Sequence, residues 1–148
     1  MGMYTEMNVS FDLDYSKMDE YSNILRFMTG DLTVDRNKLV LPQHPLFSTG
    51  RWEHMLCSSS YYFAGETHSD FHVEEDFKLT TLTSLSSLKN YEDEIEKFCD
   101  WVSQYIYLGP NRSSIVFAGY KRYEEDIAPT LIYFTRDGVK FVKAPSVD

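Results

Sequence analysis

The strongest constraint in this 148-residue sequence is an unbroken alternation from residue 3 to residue 13. Met3, Thr5, Met7, Val9, Phe11 and Leu13 fall on one side, and Tyr4, Glu6, Asn8, Ser10 and Asp12 on the other. Side chains along a strand point alternately to its two faces, so the pattern defines a half-buried β-strand facing a core. Ser16 then precedes Lys17-Met18-Asp19 in the manner of a helix start, and Met18, Tyr21, Leu25 and Met28 follow at helical spacing until Gly30. From Asp31 to Gly50 the periodicity fades among Pro42, Pro45 and Gly50, which reads as a long connection with one short strand near Lys38–Leu41.

Strand-like stretches follow at Trp52–Cys57, Ser60–Ala64, Asp70–Glu74 and Phe77–Thr83. Asn90 offers a second helix cap, and Leu88, Tyr91, Ile95, Phe98, Cys99, Val102 and Ile106 form an apolar stripe ending at Gly109-Pro110. Ile115–Tyr120, Thr130–Phe134 and Val139–Val142 complete the strands, the last two joined through Asp137-Gly138. The expected fold is a single α+β domain over 1–148, an antiparallel sheet with two helices packed on one face, a ferredoxin-like variant. Rings at Tyr61, Tyr62 and Phe63 point to both faces of the sheet. The helix-free face therefore needs a cover, expected from the 31–50 connection or from a second copy in a homodimer.

Charge narrows the function. Twenty-three acids against fourteen bases give a net charge of −9. That balance opposes direct nucleic-acid binding and anionic membranes, and favours basic partners where the acids cluster. No apolar stretch reaches the ~18 residues of a membrane span, and the first residues lack the basic start and apolar region of a secretory signal. We therefore expect a cytoplasmic protein in which Cys57 and Cys99 are buried thiols, not a disulfide or a metal pair.

The chemistry-bearing residues give weak signals for catalysis. His54, His68 and His72 lie among acids, but four residues along a strand span roughly 13 Å, too far for His68 and His72 to share a zinc at ~2.0–2.1 Å bond lengths. Neither a metal nor a cofactor is expected. Ser58-Ser59-Ser60 and Cys57 near His54 lack a nucleophile-elbow signature, and Gly109-Pro110-Asn111-Arg112 lacks the glycine spacing and lysine of a phosphate loop. The acids carry more information. Glu92, Asp93, Glu96 and Asp100 lie opposite the apolar stripe of the second helix, and Glu124, Glu125 and Asp126 add three more. These seven form the expected docking surface for a basic protein. The alternative is a small-molecule pocket, enzymatic or not, lined by Trp52, His54, Tyr61, Tyr120 and Arg122.

The series His44-Pro45-Leu46-Phe47, Arg51-Trp52, Ser60-Tyr61-Tyr62-Phe63, Leu88-Lys89-Asn90-Tyr91, Glu94-Ile95-Glu96, Trp101, Gly119-Tyr120-x-Arg122-Tyr123-Glu124-Glu125 and Pro129-Thr130-Leu131-Ile132-Tyr133-Phe134 resembles a family of small uncharacterised bacterial and phage-borne proteins. The resemblance spans nearly the whole chain and carries no catalytic role. It implies an accessory protein of a mobile element, of the kind that inhibits host factors by binding them.

Overall fold

A computed structural model describes residues 3–60, 62–63, 66–110 and 114–145. Six strands and two helices appear among them: β1 (Thr5–Leu13), α1 (Met18–Met28), β2 (His68–Glu74), β3 (Leu79–Leu88), α2 (Glu94–Ser103), β4 (Val116–Tyr123), β5 (Thr130–Thr135) and β6 (Gly138–Lys143). The architecture is α+β, one open antiparallel sheet in the order β2-β3-β1-β4-β5-β6. The alternation of β1 becomes its burial: Thr5, Met7, Val9, Phe11 and Leu13 face the core. Gly119 of β4 lies beside β1 at a φ of 144°, and an added Cβ would come within 1.9 Å of the Asn8 carbonyl oxygen. Only glycine allows that approach.

Both helices contribute their apolar stripes to one core cluster: Tyr21, Ile24, Leu25 and Met28 from α1, and Ile95, Phe98, Cys99, Trp101 and Val102 from α2. Truncating a fully buried leucine such as Leu25 to alanine costs about 2–5 kcal/mol. The ends of the helices differ from the sequence reading. Asp14, not Ser16, supplies the first cap, accepting from Ser16 N (3.0 Å) on a short 3-10 turn that leads into α1. Asn90 does serve α2, from ahead of it, taking the Ile95 N–H at 2.8 Å. The helix stops at Ser103, so Ile106 is no longer part of its stripe and instead bridges Leu13 of β1.

The middle of the chain departs furthest from expectation. Residues 51–57 form consecutive turns in place of a strand, with His54 N donating to Arg51 O and Cys57 N to His54 O. Buried Trp52, Met55 and Leu56 sit three and four positions apart, the spacing of a helical turn. Of the expected strand at 60–64, Tyr61 and Ala64 lie outside the described residues, and Tyr62 and Phe63 fall in a turn and a bend. No strand forms at 38–41, where a 3-10 turn (Arg36–Lys38) stands next to irregular chain. The strand expected from Phe77 begins at Leu79, and Phe77 is exposed in the preceding turn. The 31–50 connection adds Leu46 to the core cluster, with Leu39, Leu41 and Phe47 packed against it. It packs on α2, with Phe47 edge-on to Trp101 (5.1 Å) and to Trp52 (4.9 Å). Cys99 is buried as expected, whereas Cys57 is exposed, and both are free.

Candidate functional site

The acids singled out on α2 meet different fates. Glu96 is partly buried; its carboxylate accepts from Asn90 Nδ2 (2.7 Å) and pairs with Lys121 of β4. Burial pushes the Glu96 carboxyl up, but the hydrogen bonds from Lys121 and Asn90 and the Lys121 charge outweigh it and hold the group below its usual range. Asp100, largely exposed, bonds to His44 Nε2 at 2.8 Å. His44 Nδ1 accepts the Leu46 N–H (3.1 Å), which makes Nε2 the protonated nitrogen of a neutral ring and therefore the donor to Asp100. Glu92 Oε2 takes the backbone N–H of Gly50 at 2.7 Å. Asp93 is exposed at the first cap position of α2, with a left-handed φ of 57°.

The second acidic group occupies the β4–β5 turn. Glu125 is exposed, Asp126 lies 3.8 Å from Lys143, and Glu124 donates its backbone N–H to Tyr4 O (3.0 Å). Thr5 of β1 pairs with both Leu88 and Tyr123, so the chain leading into α2 and the 124–126 turn leave the same end of the sheet. The Tyr123 phenol is raised by burial and then by the charges of Glu125 and Glu124, the Tyr91 hydroxyl and Asp126, which brings the start of α2 and the 124–126 turn into one electrostatic neighbourhood. Tyrosines decorate the same end. Tyr62 and Tyr91 are about half exposed, and Tyr4 lies 6.1 Å from Tyr62 between ring centroids.

The residues set aside for a small-molecule pocket do not converge. Trp52 is buried against Phe27 and Phe47, with Arg36 over its ring. Tyr120 donates to Glu6 Oε1 at 2.7 Å, and Arg122 sits over Phe63; by register Tyr120 and Arg122 face away from the buried side of β1. Tyr61 is outside the described residues. His54 alone lines a cleft, in company with Tyr4, Arg51, Ser58, Leu88 and Lys89. A broader groove of about 670 Å³ runs between the 41–49 segment and α2, past His44, Phe47, Glu92 and Lys97.

Three residues that carry this end were not singled out as sites from the sequence: Arg51, Lys89 and Glu94. Glu94 is fully buried, accepts the Glu92 N–H (3.0 Å) and has Arg51 as its cation at 3.7 Å. Its position four residues before Phe98 and eight before Val102, on the buried face of the helix, is the available signal. His68 and His72 are exposed on β2, and no cluster of three metal-ligating side chains exists among the described residues. No described helix is long and apolar enough to cross a membrane. No protein-family model matches the sequence, and no curated protein or solved structure matches it either.

Proposed function

We propose that this chain is a non-enzymatic binding protein of the cytoplasm, an accessory inhibitor that engages a basic protein through its acidic, tyrosine-bearing end. The observation that supports the reading is geometric: Thr5 of β1 pairs with both Leu88 and Tyr123, so the chain leading to Glu92 and Asp93 and the turn carrying Glu124, Glu125 and Asp126 leave the sheet at the same end. Tyrosine is enriched at interface centres, and clustered carboxylates steer basic surfaces into contact. We also read the strand order as a ferredoxin-like core, β4-β1-β3-β2, extended by β5 and β6, with both helices on one face. The alternate burial along β1 and β3 supports this.

Charge reversal tests the binding surface. A variant carrying Asp93→Lys and Glu125→Lys should lose the basic proteins that the unaltered chain retains at low salt from its native host, and retention should fall as salt rises. An unchanged set of retained proteins overturns the reading. A second reading is self-association through the outer side of β4–β6, where Phe117 is 56% and Val142 48% exposed. It requires a light-scattering mass near twice 17.3 kDa.

A further inference from the structure

The cleft beside His54 is cationic in an otherwise acidic molecule. It encloses about 210 Å³, and Arg51, His54 and Lys89 converge on it. Arg51 and Lys89 line it together with no carboxylate in the lining, a local reversal of the net charge of −9. Among the described residues Lys89 has no ion pair, and Arg51 has one that lacks a hydrogen bond. Lys89 has no carboxylate within 4.0 Å among the described residues, and its ammonium lies 5.8 Å over the Tyr4 ring. Arg51 stands 3.7 Å from Glu94 Oε2, beyond hydrogen-bond reach, and that oxygen is buried with no hydrogen-bond partner. Its guanidinium packs over Tyr91 at 5.1 Å. Glu92 is held by the N–H of Gly50, a residue that lines the cleft. Arg51 and Lys89 together carry eight N–H donors, and the cleft provides few acceptors for them.

The rest of the lining is mixed: the Tyr4 ring, the Gly50 backbone and Ser58, with Met55 and Leu88 buried behind them. From this combination we infer that the cleft binds a small organic oxyanion, its carboxylate or phosphate held by Arg51 and Lys89 and its flat body laid against the Tyr4 ring. Arginine supplies a planar fork for two oxygens and lysine a point charge, an arrangement suited to either oxyanion.

The cleft borders the end proposed to dock a basic protein, but its ligand carries the opposite charge, so the two tests fail separately. The test uses the full chain labelled with 15N and two probes, benzoate and inorganic phosphate, titrated at constant ionic strength against chloride. The expected result is saturable amide shifts centred on Gly50, Arg51 and Lys89 with at least one probe. Saturation by benzoate alone assigns a carboxylate ligand, and saturation by phosphate alone a phosphoryl ligand. Lys89→Gln should weaken that binding about tenfold, as expected for the loss of one charge-assisted contact. Its unfolding midpoint should be unchanged, since Lys89 has no ion pair to lose. Arg122→Gln, a cation outside the cleft, should leave binding as it was. Absence of saturable shifts with either probe, or equal affinity in Lys89→Gln, overturns the inference whatever becomes of the acidic surface.

Discussion

The carboxylates along the body of α2 and those at the acidic end belong to the same negative surplus but do different work. Glu94, Glu96 and Asp100 are each answered by a cation or donor from another part of the chain: Arg51 from the turns after the long connection, Lys121 from β4, and His44 from the connection itself. Together they tie the helix to three other parts of the chain. Asp93 and Glu125 have no basic side chain within 4.0 Å among the described residues. The contrast shows that charge counted along a sequence is not charge available to a partner. Part of the surface assigned to docking is structural, and the free acids lie at its margin and in the 124–126 turn.

If that division is right, removing the fastening cations should cost stability, and the largest loss belongs to Arg51. Glu94 is fully buried, and stripping its cation leaves an uncompensated charge in the interior, worth about 3 kcal/mol. Arg51→Met should show this in urea unfolding, and adding Glu94→Gln should restore most of it. A double variant as unstable as the single one would mean that Arg51 acts through its packing on Tyr91 instead.

Lys121→Met comes next. It removes a charge-assisted hydrogen bond to a carboxylate that is only partly exposed, a loss of about 1.5–3 kcal/mol at neutral pH. The pH dependence gives its own check. The folded Glu96 carboxyl is held below its usual range, so its contribution is present above the unfolded value near 4.3 and disappears as pH falls through the lower folded value. The gap between wild type and Lys121→Met should therefore close on acidification. A gap that stays constant below pH 4 would assign the loss to side-chain packing, for example of Lys121 over Phe141 at 5.0 Å.

His44→Ala is smaller. It removes the cap on the Leu46 N–H and the bond to exposed Asp100, together about 1 kcal/mol. Faster hydrogen exchange at Leu46 and Phe47 should accompany it, and unchanged exchange would mean that packing of Phe47 on Trp101 holds the connection in place.

Why these tethers are hard to read from sequence is a matter of distance along the chain. Period-two alternation in β1 and the three-and-four spacing in both helices are local signals, written in consecutive residues. The Asp137-Gly138 hairpin is equally local, and each of these elements is found. Residues 51–57 misled because Trp52, Met55 and Leu56 are rich in strand-compatible side chains, although their spacing is that of a turn of helix. In β3 the leucines at 79, 82, 85 and 88 recur every third residue, while the buried positions 80, 82, 84, 86 and 88 include Thr80, Ser84 and Ser86, so the alternation is hidden under polar side chains. The pairings that decide which acids are free link positions 25 to 56 residues apart, except Asp126 and Lys143, which are 17 apart. Such pairs exist only once the sheet order is set.

The smallest stability effect carries the most functional weight. Glu125→Lys reverses an exposed charge with no ion pair, so unfolding free energy should change by less than about 0.5 kcal/mol. It also relieves crowding of like charges around Tyr123, whose phenol is raised partly by Glu125 itself. The Tyr123 titration, followed by ultraviolet absorbance difference, should therefore move down toward its ordinary value near 10. The same substitution at Asp100, exposed but bonded to His44, should leave Tyr123 where it was. Equal movement of Tyr123 in both variants would mean that the two carboxylate groups share one diffuse field, and the distinction between fastening and free acids would dissolve.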